Sequence, residues 1–149
     1  MQSEKYQAGA AKFEEVYPRK ASDDPDEFER MAMENLFSEY WTREGLSTRD
    51  RRLLILGIVA AQGNDAILKL QFSAGIAKGD LDESDLSEIP IFLSQYAGFP
   101  LSVVANTAAC KVKEGLSNCP DILTRHRQPR NLASRNPELI IWVLFSKCL

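Results

Sequence analysis

Apolar side chains recur at helical spacing along most of the chain, and no strand-like alternation occurs between residues 1 and 118. Residues 3–17 predict a first helix, with Ser3 as its cap and an amphipathic face. A second helix is predicted to begin near Asp24, because Pro25 then occupies the first helical position, where its missing N–H costs nothing. This pattern predicts an all-α fold.

The longest apolar run before the C-terminus follows Ser47 and predicts a central helix that is buried on most of its faces. Ser47 and Asp50 have the spacing of a capping box at its start. Three arginines are expected to lie exposed there, namely Arg49, Arg51 and Arg52. They fit a solvated turn paired with nearby acidic residues, although one arginine could face a pocket or a neighbouring subunit.

The next helix is predicted for residues 65–78, capped by Asp65 and ended by Gly79. Small side chains between its apolar residues predict that it packs closely on the preceding helix. Gln71 is a polar residue among these apolar positions. Its amide must find hydrogen-bond partners, because an unpaired buried polar group costs free energy.

A further helix is predicted to start at Asp82 or Ser84. Pro90 removes a hydrogen bond to the helix, so a short turn followed by a longer helix to about Tyr96 is expected. A last amphipathic helix is predicted for residues 101–113. The sequence therefore predicts a compact bundle of about six helices.

The pattern changes after residue 118, where a polar, basic and proline-broken segment leads to the apolar end PELIIWVLFSKCL. That end could form a strand, a docked helix or an exposed aggregation-prone segment. We therefore expect a helical domain in residues 1–118 and a divergent C-terminal extension in residues 119–149.

Composition and charge favour an ordinary soluble protein. The 149 residues are 44% apolar and carry a net charge of −3, which argues against a general nucleic-acid binder. The N-terminus lacks the apolar stretch of a secretory signal, and the longest late apolar run, residues 140–145, is too short to span a bilayer as a helix. We expect a cytoplasmic protein with no membrane and no nucleic-acid partner.

Cysteine and histidine are too sparse for the usual metal or disulfide sites. The three cysteines are widely spaced, no CxxC occurs, and His126 is the single histidine. This pattern fits neither a disulfide framework nor a zinc site, and it suits a reducing compartment. No metal and no cofactor are expected.

Three consecutive pieces resemble the carboxymuconolactone decarboxylase family, whose relatives include the alkylhydroperoxidase D type disulfide reductases. The pieces are YWTREGLSTRDRRLLILGIVAAQG, LKLQFSAGIAKGDLDESDLSEI and LSQYAGFPLSVVANTAA, within about residues 37–113. They are similar to the family's Trp-x-Arg-x-Gly-Leu-Ser entry, its Thr-x-Glu-Glu turn and its Tyr-x-Gly-x-Pro. The resemblance implies an all-helical fold and assembly into homotrimers or homohexamers.

This chain departs from the family at the residues that carry chemistry. The family's decarboxylases have a histidine eight residues before the glycine at Gly79, where this chain has Gln71, and a second one near Asn106 and Thr107. Amides and hydroxyls do not shuttle protons near neutral pH as imidazole does. The peroxidase branch needs a CxxC followed by histidine, and Cys110 has no cysteine within three residues.

Glu88 survives as a candidate, since it matches the family's glutamate eight residues before the tyrosine at Tyr96. A desolvated carboxylate can act as a general acid or base. The resemblance gives Glu88, Gln71 and Tyr96 as candidate catalytic residues and the following as candidate substrate-binding residues: Trp41, Arg51 and Asn106. The alternatives are an ion pair of Glu88 with Arg51 or Arg52, and an ordinary interhelix hydrogen bond for Gln71.

Three functions remain open. The first is a decarboxylase-like lyase that acts on a small carboxylated lactone or related acid in a pocket at a subunit interface. The second is a non-catalytic oligomeric binding or scaffold protein of the same fold. The third is a thiol redox protein that uses Cys110 and Cys119.

Overall fold

The computed structural model describes residues 2–117, and this part of the chain is helical with no strand, as the sequence predicts. None of the helices in this range is long and apolar enough to cross a membrane. The helices are α1 (Glu4–Val16), α2 (Glu27–Met31, continued by a π-helical segment, Ala32–Tyr40), α3 (Thr48–Ala61), α4 (Asp65–Lys78), α5 (Asp85–Tyr96) and α6 (Phe99–Ser117).

The first two helices form a closely packed pair. Ser3 caps α1 as predicted, because its hydroxyl accepts a hydrogen bond from the Tyr6 N–H. Gly9 lies directly against the backbone of Met33, and a side chain at this glycine would overlap the Met33 carbonyl group. The close approach of the two helices therefore requires glycine.

The predicted start of α2 near Asp24 is wrong by two residues. The carboxylate of Asp26 accepts a hydrogen bond of 2.7 Å from the Glu29 N–H, so Asp26 is the cap and Pro25 precedes the helix. The helix then widens, since the Trp41 N–H bonds to the carbonyl of Leu36, five residues back.

Helix α3 begins with the predicted capping box of Ser47 and Asp50. The expectation that α3 is buried on most faces is wrong for a single chain, because Leu54 and Ile58 are 57% and 60% exposed. The expectation that all three arginines lie exposed is also wrong. Arg52 is fully buried, on the side of α3 that packs against α4.

The remaining helices follow the prediction with local differences. Asn64 rather than Asp65 caps α4, and Gly79 ends it in the left-handed conformation with φ of 75°. Helix α5 is continuous through the buried Pro90, so the predicted break is wrong. Only the bond that the Pro90 nitrogen would donate to Leu86 is lost, and the helix continues around it.

Two apolar clusters form the core of the unit that spans residues 1–114. One lies among α3 to α6 around Leu56 and Phe72, and the other lies between α1 and α2 around Phe13 and Phe37. Ile55 packs against both clusters. Ile55 of α3 therefore lies where the two clusters meet.

The described residues end with the last turn of α6, at Ser117. The predicted extension, residues 119–149, lies outside them together with Cys119 and the apolar C-terminal segment. The boundary at residue 118 stays a prediction.

Candidate functional site

A buried arginine joins α1, α3, α4 and the loop between α4 and α5. The guanidinium of Arg52 donates from Nε and Nη2 to one carboxylate oxygen of Asp80, at 2.8 and 2.7 Å. Nη2 also donates to the carbonyl of Val16 at 2.7 Å, and Nη1 donates to Oε1 of Gln71 at 3.0 Å. A buried charge is tolerated only when it is paired and hydrogen-bonded, and Arg52 meets both conditions.

The network continues from Arg52 to a tyrosine. Nε2 of Gln71 donates to the hydroxyl of Tyr17 at 2.8 Å, and Gln71 itself is buried. The guanidinium carbon of Arg52 lies 5.6 Å from the centre of the Tyr17 ring. The interhelix hydrogen bond considered for Gln71 is therefore present. Its partner in α3 is Arg52.

Local sequence explains why the arginine fits here. Arg52 lies one helical turn before the buried Leu56, so it falls on the core side of α3. In α4, a side chain at Gly75 would approach Cδ of Arg52 to 2.9 Å, so glycine leaves room for the arginine stem. The left-handed turn at Gly79 then brings Asp80 back over the end of α4.

A second arginine, one turn earlier on α3, holds the same loop from outside. Arg49 donates to the Asp80 carbonyl and to both carboxylate oxygens of Asp85, each at 2.7 Å. The hydrogen bonds from Arg49 hold the pKa of Asp85 below its ordinary value. Arg49 and Arg52 together fix the loop between α4 and α5 against α3.

Two of the predicted catalytic residues lie on an exposed stripe of α5. Tyr96 is 80% exposed, and its ring centre lies 5.0 Å from that of Phe92. Glu88 is exposed two turns earlier and makes no side-chain hydrogen bond or ion pair within residues 2–117. The considered pairing of Glu88 with Arg51 or Arg52 is therefore wrong, since both arginines have other partners.

The predicted substrate-binding residues have separate surroundings. Arg51 donates to the carbonyls of Leu46 and Arg43, so its guanidinium holds the loop before α3. Trp41 is buried and stacks on Phe37 with ring centres 6.0 Å apart.

Asn106 is half-buried on α6. Two of the six predicted residues, Gln71 and Trp41, are connected. Gln71 donates a hydrogen bond to Tyr17, and ring contacts lead from Tyr17 through Phe37 to Trp41. The others are not in hydrogen-bond or ring contact with this group among the described residues.

The described residues contain no group of histidine, cysteine or acidic side chains that could hold a metal ion. Sequence reasoning gave no role to Asp80 and Tyr17 and placed Arg52 among the exposed arginines, whereas all three join Gln71 in one polar network. A helical projection of α3 carries the missing signal for Arg52, because positions 52, 56 and 60 share one face and the last two are apolar.

A sequence comparison identifies the class of protein to which this helical fold belongs. The model of the carboxymuconolactone decarboxylase family matches residues 26–110, more than half of the chain. The chain therefore belongs to the carboxymuconolactone decarboxylase family. This confirms the resemblance noted from the sequence motifs.

One relative carries a specific activity in its name. The chain is 27% identical over 95 residues to a 4-carboxymuconolactone decarboxylase of Acinetobacter baylyi (strain ATCC 33305 / BD413 / ADP1). The match covers 64% of this chain and 70% of the relative.

Proposed function

We propose that this protein is a decarboxylase-like lyase that acts on a small carboxylated lactone or a related acid. Membership of the family and the similarity to a 4-carboxymuconolactone decarboxylase support this substrate class. We further propose that the pocket is completed by a second copy of the chain, within a homotrimer or homohexamer.

The observation that carries the proposal is the exposed apolar stripe around Glu88. Ile91 and Phe92 are 59% and 64% exposed, and Tyr96 continues the same side of α5. Large apolar side chains that cluster on a surface mark an interaction site. A second copy covering the stripe would remove water from around Glu88 and leave the carboxylate next to an aromatic wall.

In such a pocket, decarboxylation needs a proton donor more than a nucleophile. The bond between the carboxylate carbon and the lactone breaks, carbon dioxide leaves, and the electron pair moves into the conjugated lactone. Glu88 would deliver the proton that the resulting enolate takes up at carbon, and Tyr96 would donate a hydrogen bond to its oxygen.

The test is the release of carbon dioxide from 4-carboxymuconolactone by the full-length protein and by Glu88→Gln. Loss of the proton donor should lower turnover at least a hundredfold. The thermal midpoint should stay unchanged, because Glu88 makes no side-chain contact that holds the fold. Glu83→Gln, which changes another exposed glutamate near the start of α5, is the matched control. A fully active Glu88→Gln would remove this carboxylate from the mechanism.

The second candidate is a non-catalytic binding or scaffold protein, and the state of Gln71 favours it. The amide at the position of the family's histidine is held by Arg52 and Tyr17 and has no titratable proton. This candidate predicts saturable binding of the lactone acid in calorimetry with no carbon dioxide released. Turnover that pocket substitutions abolish would exclude it.

A thiol redox protein is the third candidate. Cys110 is half-buried on α6 and Cys119 lies outside the described residues. Titration of thiols before and after peroxide treatment tests this candidate, and an unchanged thiol count would exclude it.

A further inference from the structure

We propose that the hydroxyl of Tyr17 is a ligand-facing hydrogen-bond donor, and that it binds an acceptor oxygen of a small carboxylated molecule. The class of ligand rests on the proposed function. The residue itself does not, since Tyr17 precedes the part of the chain that the family model matches.

The direction of each hydrogen bond follows from chemistry. A guanidinium can only donate, so the atom of Gln71 that lies 3.0 Å from Nη1 of Arg52 must be the amide oxygen. The amide nitrogen then faces Tyr17 and also can only donate. Arg52 therefore fixes the orientation of the Gln71 amide, which fixes the Tyr17 oxygen as an acceptor.

A phenol has one proton, and that of Tyr17 is not used for the bond with Gln71. Within residues 2–117 the hydrogen bond of this hydroxyl is the one that it accepts from Gln71. Tyr6, which lies on α1, shows the contrasting case, because its hydroxyl donates to the carbonyl of Ser22 at 2.8 Å. Tyr17 is only partly buried, so its hydroxyl proton is available to an outside acceptor.

The surroundings of Tyr17 favour an electron-rich oxygen over a cation. Its ring lies against Phe13 and Phe37, and the Arg52 guanidinium lies over the ring at 5.6 Å. Arg52 donates to Gln71, and Gln71 donates to the Tyr17 hydroxyl. Hydrogen bonds aligned in this way polarise one another. A carbonyl or carboxylate oxygen can accept the hydroxyl proton of Tyr17, whereas an ammonium group has no acceptor atom to receive it.

The experiment uses full-length protein labelled with 3-fluorotyrosine and followed by fluorine NMR. The chain has four tyrosines, so single Tyr→Phe variants assign all four resonances. The probe is paraconic acid, a butyrolactone that carries one carboxylate, and butylammonium is the control of opposite charge. We expect the Tyr17 resonance to shift saturably with paraconate and to stay unchanged with butylammonium.

Two variants give the affinity. Tyr17→Phe should weaken paraconate binding about three- to tenfold in calorimetry, which is the value of one hydrogen bond. Tyr6→Phe removes a hydroxyl that donates within the fold, so it should leave the affinity unchanged.

The outcomes separate this inference from the proposed function. Paraconate that binds with heat and shifts Tyr96 but leaves Tyr17 unmoved would overturn the role of Tyr17 and leave the proposed pocket on α5 intact. No heat and no shift would overturn the role of Tyr17, whereas the release of carbon dioxide from 4-carboxymuconolactone would still decide the proposed function. Equal loss of affinity in Tyr17→Phe and Tyr6→Phe would also overturn it, because the effect would then be one of general stability.

Discussion

At the scale of single residues, the ion pair of Arg52 and Asp80 neutralises a charge that is fully buried. Asp80→Ala leaves the guanidinium buried beside neutral partners, the Gln71 amide and the Val16 carbonyl. Removing one partner of a buried pair costs about 3–5 kcal/mol, so we expect a loss of about this size in urea unfolding. Formate should restore part of the loss, because a small carboxylate can replace the missing one.

Asp24→Ala is the control for that variant, since this aspartate is exposed and makes no ion pair in the described part of the chain. Its stability should change by less than about 0.5 kcal/mol and should not respond to formate. An Asp80→Ala protein as stable as the wild type would show that Asp80 does not neutralise Arg52.

The same residues show what sequence can and cannot predict. That Gln71 needs a partner follows from its apolar neighbours alone. Which partner it finds does not follow, because Arg52 and Tyr17 come from two other elements and meet it only through tertiary packing. Arg52 is predicted to be exposed because arginine is charged. Its position on α3 instead places it on the face that packs into the core.

At the scale of elements, the loop between α4 and α5 depends on an acid with a lowered pKa. Because hydrogen bonds from Arg49 lower the pKa of Asp85 in the folded state, this pair stabilises the fold above the unfolded pKa. The stabilisation is lost as the pH falls below 3.8, the ordinary pKa of an aspartate, and through the lower pKa that Asp85 has in the folded protein. Arg49 is partly exposed, so we expect Asp85→Asn to cost about 1 kcal/mol or less at pH 7.

Urea unfolding of wild type and Asp85→Asn at several pH values measures this. The difference between the two proteins should be constant near neutral pH and should disappear in the acid range below 3.8. Glu83→Gln should track the wild type throughout. A difference that persists unchanged into strong acid would mean that the pair with Arg49 does not carry the effect.

Helix existence was predictable, and helix ends were less so. The capping box at Ser47 and the glycine end at Gly79 were predicted because each needs only local chemistry. The cap of α2 was predicted less well, because several neighbouring acidic residues can serve and in the structure Asp26 does. The π-helical turns after Met31 left no pattern that a period of 3.6 residues detects.

At the scale of the whole molecule, the apolar run in α3 has two explanations that look alike in sequence. A residue buried in the core and a residue buried by a second subunit are both apolar, so the pattern around Leu54 and Ile58 predicts burial without saying what provides it. In the single chain these two side chains are exposed. Their exposure adds to that of Ile91 and Phe92 on α5, which carries the proposal of self-association.

Solution mass by light scattering tests that proposal on the full-length chain. We expect a trimer or hexamer for the wild type, and Phe92→Glu should shift it to monomer, because a charge buried in an apolar interface costs several kcal/mol. Phe28→Glu is the matched control, since Phe28 is also an exposed phenylalanine but lies on α2, away from the α5 stripe. A monomeric wild type would contradict the proposal of a pocket shared between two copies. Glu88 would then remain in water, and the mechanism that needs a desolvated acid would be excluded. An oligomer dissociated by Phe28→Glu and not by Phe92→Glu would place the interface on α2, and the search for the ligand would then move to that face.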